Sequence, residues 1–234
     1  MRLYHYTKVS SFQKIWDSKT LKFSDAKNAN DIFERGKLIS IPNIPLGFFD
    51  ESGHSKFISN FYEILYSYRQ ISMSMDYSVN EKGYTSPMMW GHYGNSTKGV
   101  CIELDSEKLN LNSVQLWSGR VRYVRKLPFL NFKGAVFNND EDIFSYIEKH
   151  KNNIFYKKHI HWKYENEYRL ISRTIDYLSI ENAITAIYIV NNEGRTNRLV
   201  KRLVQDTVPI CKVVKSPLWG YAHLTSYNTC FTNR

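Results

Sequence analysis

A chain of 234 residues, 42% hydrophobic and carrying 13 Phe, 17 Tyr and 5 Trp, has the apolar bulk for a full core, which excludes a disordered chain. Cys101, Cys211 and Cys230 form no Cys-x-x-Cys pair and no run is long and apolar enough to cross a bilayer, so a disulfide framework, a standard zinc module, a secretory leader and a membrane span are not expected and a cytoplasmic setting is. The net charge of +10 is lopsided: 13 of the 32 basic and 12 of the 22 acidic side chains lie in residues 1–114, leaving 19 and 10 for 115–234, which suits either a solvated face or a polyanionic partner.

Leu3–Tyr6 reads as a short strand, and Ser10 or Ser11 can cap a helix that sets Phe12, Ile15 and Trp16 on one stripe. Leu21–Ser24 follows as a second strand, then a polar loop over 25–34 and a charged, irregular stretch to about Ser55. Phe57, Phe61, Ile64, Leu65 and Tyr68 recur at helical intervals. Ile71–Met75 alternates apolar and small polar residues, as a strand bordering a cleft does. A turn at Gly83 leads to Met88–Tyr93 and to a buried strand over Gly99–Leu104. Val114–Val124 is strand-like, with Arg120 and Arg122 on one face. Ile143, Phe144, Ile147, Ile154 and Phe155 mark a long helix expected to reach about His161. The remainder reads as strand 165–171, strand 183–190, helix 196–205 and a core strand over 208–214. No repeat, low-complexity tract or Pro/Gly-rich linker divides the chain, so residues 1–234 are expected to form one unit. Strands and helices mixed without regular βαβ alternation predict an α+β fold with a largely antiparallel sheet.

On a strand, side chains at i and i+2 share a face about 7 Å apart, so Glu165, Glu167 and Arg169 are expected to point one way. Two carboxylates at that spacing repel and the guanidinium compensates; the trio either borders solvent as surface ion pairs or lines a polar cleft. His5 and Thr7 share a face of the first strand, where a lone His is ordinarily a satisfied core residue. Asn28–Glu34, with Asn30 and Asp31, is the composition of Asx-turns. Ser72 and Ser74 lie on the strand at 71–75. Trp90 and Tyr93, three apart, share a helical face that serves equally as core or as a stacking platform.

In their order along the chain these pieces resemble a widespread bacterial domain family labelled as of unknown function. Its hallmarks are a Tyr-His-Tyr-Thr opening (Tyr4–Thr7 here), an Asn-Asp-x-Phe-Glu loop (Asn30–Glu34, with Ile32 where proline is common), a Met-Trp-x-His-Tyr segment (Met89–Tyr93) and a Trp-x-x-Glu-x-Glu-Tyr-Arg strand (Trp162–Arg169). That family in turn looks like the ADP-ribosyltransferase superfamily. His5-Tyr6-Thr7 is similar to the His-x-Thr or His-x-Ser opening of the branch that includes nucleic-acid-modifying toxins. Ser72-Met73-Ser74 is similar to the Ser-Thr-Ser strand of other branches, and Glu165-Asn166-Glu167 to the Glu-x-Glu whose second Glu is catalytic.

The resemblance implies split, largely antiparallel β-sheets flanked by helices around an NAD cleft, and an enzyme that moves ADP-ribose from NAD to an acceptor without a metal. Glu167 would steady the oxocarbenium-like ribosyl cation left as nicotinamide departs, and Glu165 would orient or deprotonate the acceptor. His5 and Thr7 would hold ribose hydroxyls and the carboxamide, and Ser72 and Ser74 the ribose. Tyr6, Trp90 and Tyr93 would pack on the nicotinamide ring, with Asn30 and Asp31 also on the NAD site. The diphosphate needs a cation, for which Arg69 and Arg35 are at hand, since there is no Gly-rich phosphate loop.

A nucleic-acid acceptor, RNA in preference to DNA, is expected from the basic second half. Arg120, Arg122, Arg125, Lys126, Lys157 and Lys158, with Arg195, Arg198 and Arg202 on one helix, would neutralise phosphates. By analogy with superfamily toxins, a neutralising antitoxin protein or a phage-defence setting is expected. Other readings stay open: a protein acceptor, a Mg²⁺ nuclease built on Asp31, Glu34, Glu165 and Glu167, a zinc hydrolase using His159, His161 and Glu165, and a non-catalytic RNA-binding module.

Overall fold

The computed structural model describes residues 1–25, 51–128, 130, 132, 135–190, 194–205, 207–215 and 224–225. Its strands run β1 (Arg2–Thr7), β2 (Thr20–Lys22), β3 (Ser24–Asp25), β4 (Arg69–Met75), β5 (Val100–Asp105), β6 (Trp117–Arg120) and β7 (Arg122–Val124). They continue with β8 (Lys157–His159), β9 (Glu167–Ser172), β10 (Tyr177–Ser179), β11 (Ile184–Val190), β12 (Ile210–Lys215) and β13 (Leu224–Thr225). Helices span Val9–Ser18, Glu51–Ser67, Pro87–His92, Asp140–Ile154 and Gly194–Val204.

Nine strands make one sheet in the order β13-β12-β11-β5-β1-β4-β9-β6, with β3 beside β4. Pairing in this sheet is antiparallel except between β11 and β12, which the helix Gly194–Val204 connects. The expected mixed architecture with largely antiparallel pairing is therefore observed.

The sheet divides at its centre. β1 follows β5 from Arg2↔Asp105 to Thr7↔Val100, and β4 follows β9 from Ser74↔Glu167 to Arg69↔Ser172. Between them, however, β1 and β4 are in register only at Leu3↔Met75 and Tyr4↔Ser74. Beyond Tyr4 and Ser74 the two strands part, and a cleft opens where a ladder would otherwise continue.

Apolar layers cover both faces of the sheet. On one face Leu3, Ile71, Met73, Ile102, Leu104 and Ile187 pack under Phe12, Val200 and Val204. Phe12, Ile15 and Trp16 do lie on one stripe of the first helix, and the fully buried Phe12 would cost about 3–5 kcal/mol to truncate to Ala. That helix starts at Lys8, which makes no side-chain cap, so Ser10 and Ser11 sit inside it and not at its end. On the opposite face Tyr4, Tyr6, Cys101 and Tyr188 pack with Tyr84, Met89 and Trp90. A third cluster, around Phe61, Leu65, Phe132, Ile147 and Phe155, seats the helices Glu51–Ser67 and Asp140–Ile154.

Two expected elements differ. The helix expected to reach His161 stops at Ile154, where the Phe155 N–H closes on the Lys151 carbonyl at 2.8 Å. Tyr156 then gives its carbonyl to the Arg122 N–H at 2.8 Å, and Lys157–His159 pairs in parallel with β7. The strand expected over Val114–Val124 breaks at Val121, whose N–H is spent on the Glu167 carbonyl at 2.9 Å. Arg120 and Arg122 consequently belong to different sheets. Among the described residues no helix is long and apolar enough to cross a membrane.

Candidate active site

The cleft between β1 and β4 has a volume of about 510 Å³ and is walled by Tyr4–Lys8, Gln70–Ser74, His92, Tyr93, Lys158, Glu165 and Glu167, with further residues at its rim. That volume lies within the range of small-molecule and cofactor sites. Two close approaches seat neighbouring loops on β1, one wall of the cleft. A Cβ on Gly99 would meet the Thr7 carbonyl at 2.3 Å, and one on Gly83 would meet the Tyr4 ring at 2.2 Å. Only glycine lets these loops lie against β1; the Gly83 carbonyl also accepts the Tyr6 hydroxyl at 2.6 Å.

Glu167 opens β9 opposite Ser74 and is 2% exposed. Its N–H donates to the Tyr123 hydroxyl at 2.8 Å, so its backbone is tied on both sides. Arg169, two residues along the same face, grips the carboxylate with Nε on Oε1 at 2.7 Å and Nη2 on Oε2 at 2.8 Å. The guanidinium is itself fixed by Nη1 donating to the Phe155 carbonyl at 2.7 Å.

Glu165 reaches the same place by another route, and the expected continuous strand is corrected here. It ends a 3₁₀ turn, Ile160–Glu165, and Asn166 follows in the left-handed region at φ 44° and ψ 54°. Asparagine tolerates that conformation, and its Nδ2 donates to the Met75 and Asp76 carbonyls at 3.2 and 2.9 Å, locking the turn to the end of β4. The turn swings Glu165, 4% exposed, toward Glu167. Lys158 joins the two: Nζ lies 2.7 Å from Glu165 Oε2 and 3.6 Å from Glu167 Oε2. Tyr93 donates its hydroxyl to Glu165 Oε1 at 2.5 Å.

Two carboxylates and two cations thus form a buried, charge-balanced group, yet the acids are not equivalent. For Glu167, burial would raise the pKa, but the Arg169 charge and its hydrogen bonds, with Lys158 and the Ser72 hydroxyl, outweigh it and hold the acid at about 2. For Glu165, burial dominates and pushes the pKa upward, with Lys158 opposing and Glu167 reinforcing. Environments that drive two neighbouring acids apart divide their roles into a permanently ionised group and one able to exchange a proton.

Elsewhere in the cleft, polar atoms wait without partners. Ser74 Oγ, on a side chain 1% exposed, and His5 Nδ1 are buried and make no hydrogen bond. Burial lowers the His5 pKa, partly offset by a contact with the Ser72 main chain, which favours a neutral imidazole. A buried polar atom left unpaired costs about 1–3 kcal/mol, and one facing a cleft is poised for a ligand.

Of the residues singled out from the sequence, His5, Tyr6, Thr7, Ser72, Ser74, Tyr93, Glu165 and Glu167 all meet at this cleft. Trp90 does not line it. The indole is fully buried, edge-on to Tyr6 at 5.1 Å, with Nε1 donating to the Tyr84 carbonyl at 2.8 Å, so it backs Tyr6 and offers no stacking face. Asn30, Asp31, Glu34 and Arg35 lie outside the described residues. Arg69 is paired with Asp176 at the far end of β4; besides Lys158, the cations that wall the cleft are Lys8 and Lys22, neither of which is among the residues expected there. Lys158, read from sequence as a surface phosphate contact, is instead 4% exposed at the centre of the acid pair. Arg120, Arg122, Arg198 and Arg202 are exposed, and the side chain of Arg195 is outside the described residues. Among the described residues no three His, Cys, Asp or Glu side chains are grouped to hold a metal ion, and His159 Nδ1 accepts the His161 N–H at 3.4 Å.

No curated protein and no solved structure matches the chain. Residues 89–170, the stretch that supplies Tyr93, Lys158, Glu165, Glu167 and Arg169, match a domain family described as a protein of unknown function (DUF2971).

Proposed function

We propose that the protein is an NAD-dependent ADP-ribosyltransferase, with an ADP-ribosyltransferase-like split sheet, that transfers ADP-ribose from NAD to a nucleic-acid acceptor, RNA in preference to DNA. The observation that carries this reading is the unequal acid pair: Glu167 held ionised by Arg169 and Glu165 held on Lys158 and Tyr93, beside Ser72 and Ser74 on one wall of a cleft whose other wall, β1, presents His5 and Thr7. By analogy with toxins of the superfamily, the activity is restrained in its cell by a neutralising antitoxin protein, in a toxin–antitoxin or phage-defence setting.

In this reading the dinucleotide is a substrate. The unpaired Ser74 hydroxyl and His5 imidazole take up ribose hydroxyls or the carboxamide, and Lys8 and Lys22 face the diphosphate. The bond between the nicotinamide nitrogen and ribose C1′ breaks, and its electron pair leaves with nicotinamide. Positive charge grows on C1′ and the ring oxygen, and an anion that needs no reorganisation is the group best suited to stabilise it; Glu167 is that anion. A nucleophilic oxygen or nitrogen of the acceptor then bonds to C1′. Its proton passes to Glu165, whose raised pKa makes it a stronger base than an ordinary carboxylate, and from there to solvent.

The test is to incubate the purified protein with NAD labelled in the adenylate phosphate and with total RNA, DNA or lysate protein, beside Glu167→Gln and Ser74→Ala. Nicotinamide release and label transfer to RNA are expected from the unaltered protein, reduced at least a hundredfold in Glu167→Gln. Transfer that survives Glu167→Gln identifies the wrong acid. Absence of both NAD binding and transfer overturns the reading, and label on protein alone replaces the acceptor.

A further inference from the structure

Around Glu165 three segments share one composition. Residues 87–99, 118–126 and 156–164 hold one, four and three Lys or Arg, eight in all, and no Asp or Glu, within a chain whose net charge is +10. The fold brings them together, since β7 pairs with β8 and the 3₁₀ turn Ile160–Glu165 packs on both and on the helix Pro87–His92. Of the eight, Lys158 alone is buried, and Glu165 matches it; Arg122, Arg125, Lys126 and Lys163 are exposed.

Across the same ground runs a row of rings. Trp162 and Tyr164 have centroids 5.9 Å apart, Tyr164 and His92 5.7 Å, and His92 and Tyr93 6.4 Å. His92 is exposed, and Trp162, Tyr164 and Tyr93 are half-buried, unlike the core aromatics of this chain. One end of the row touches the acid directly and the other reaches it through Lys158. Tyr93 donates to Glu165 Oε1, while Lys158, on Glu165 Oε2, lies 4.7 Å from the Trp162 ring.

Flat apolar faces left in water beside cations with no anion among them are what an unpaired polynucleotide requires: phosphates neutralised one by one, bases laid on rings. An acidic protein would use the cations, and rings also serve protein interfaces; cations and ring faces side by side along one ribbon are what match the phosphate and base repeat of a strand. The geometry points to a single-stranded nucleic acid as the occupant of this surface, lying along the β7–β8 ribbon with a base on the Trp162–Tyr164–His92 row and the adjoining nucleotide at Glu165. The helix bearing Arg198 and Arg202 packs beside the first helix and does not line the cleft, so it is not part of this track. That the bound strand is the acceptor rests on the proposed transferase activity; that it binds here does not.

Binding is measured by fluorescence anisotropy of a labelled unpaired 12-nucleotide RNA, the same sequence in DNA, and the matching duplex, with the full chain and no NAD. The unpaired strand should bind at least tenfold tighter than the duplex, and the stronger of the RNA and DNA arms names the natural occupant. Trp162→Ala should weaken binding about tenfold, the loss of one stacked base. The exposed pair Arg122→Glu and Arg125→Glu, which leaves the core untouched, should cut the slope of log affinity against log salt by about 1.5. Arg198→Glu should change neither. Equal binding of duplex or heparin with no effect of Trp162→Ala, or loss of binding through Arg198→Glu, overturns the proposal. Strand binding without nicotinamide release from NAD keeps this inference and discards the transferase reading; release without strand binding does the reverse.

Discussion

Replacing Lys158 by Met tests whether the two carboxylates are held as one charge-balanced unit. Nζ lies 2.7 Å from one acid and 3.6 Å from the other, with all three side chains buried. Methionine keeps most of the stem and deletes the charge, so two buried carboxylates face one guanidinium. Removing one partner of a buried pair costs about 3–5 kcal/mol, because the charge left behind is neither solvated nor paired. Glu165 can escape by taking up a proton: burial already raises its pKa, and loss of Lys158 raises it further. A carboxylate whose folded pKa lies above its unfolded value of 4.5 weakens the fold only once ionised. The deficit of the variant should therefore be smallest near pH 5 and grow as the pH rises through the folded pKa. Glu167 moves the other way. Held at about 2, it contributes stability above its unfolded value that is lost only as the pH falls through about 2, so it adds nothing to a difference between pH 5 and 8. Urea unfolding at pH 8 should show a deficit of about 3–5 kcal/mol that shrinks toward pH 5. Glu165→Gln added to Lys158→Met should restore most of it, because the neutral amide still accepts from Tyr93. A deficit equal at pH 5 and pH 8, or a double variant no better than the single one, refutes the reasoning.

Other perturbations separate structure from function. Ser74→Ala removes a buried hydroxyl that has no partner, so thermal unfolding of the free protein should be unchanged or stabilised by up to about 1 kcal/mol, while NAD binding weakens about five- to tenfold. A destabilised variant would mean that the hydroxyl is already satisfied. Tyr93→Phe deletes the hydrogen bond that favours ionised Glu165, so the acid limb of the pH profile of kcat/KM should move to higher pH; an unmoved limb would uncouple Tyr93 from the base. Gly99→Ala puts a methyl group 2.3 Å from the Thr7 carbonyl and should cost about 1–3 kcal/mol in urea unfolding, with weaker NAD binding, since β1 or the loop must shift. Unaltered unfolding would show that the loop gives way freely.

What could be read from the sequence follows the range of the interactions involved. Ile71, Met73 and Met75 alternate with Ser72 and Ser74, and that period of two reveals a strand with one apolar and one polar face wherever its partners lie. Glu167 and Arg169 were legible together for the same reason. Glu165 lies near Glu167 as the spacing expects but by another geometry: locally the pleat reads as continuous through Asn166, whose left-handed conformation is set by Met75 and Asp76, some 90 residues away. Phe155 and Tyr156 continue the helical spacing of apolar residues, so nothing local marks the end at Ile154. Phe155 is buried by Tyr68 and Trp117, and β8 forms by pairing with Arg122–Val124, more than 30 residues earlier. Lys158 is the plainest loss. As one Lys among nine residues with no acid it reads as surface, and only the turn that brings Glu165 back over it gives it a buried partner. Lys8 and Lys22 were missed because the cleft they border exists only where β1 and β4 part, which no single segment encodes.

If Glu167 steadies the ribosyl cation, the nicotinamide ribose of NAD sits against it, and a crystal structure of the full chain with a non-hydrolysable carba-NAD analogue shows whether it does. The ribose hydroxyls should then lie within hydrogen-bond reach of Glu167 and Ser74, the carboxamide near His5, and the diphosphate toward Lys8 and Lys22. An analogue bound elsewhere, or one in the cleft with its nicotinamide end turned away from Glu167, contradicts that role.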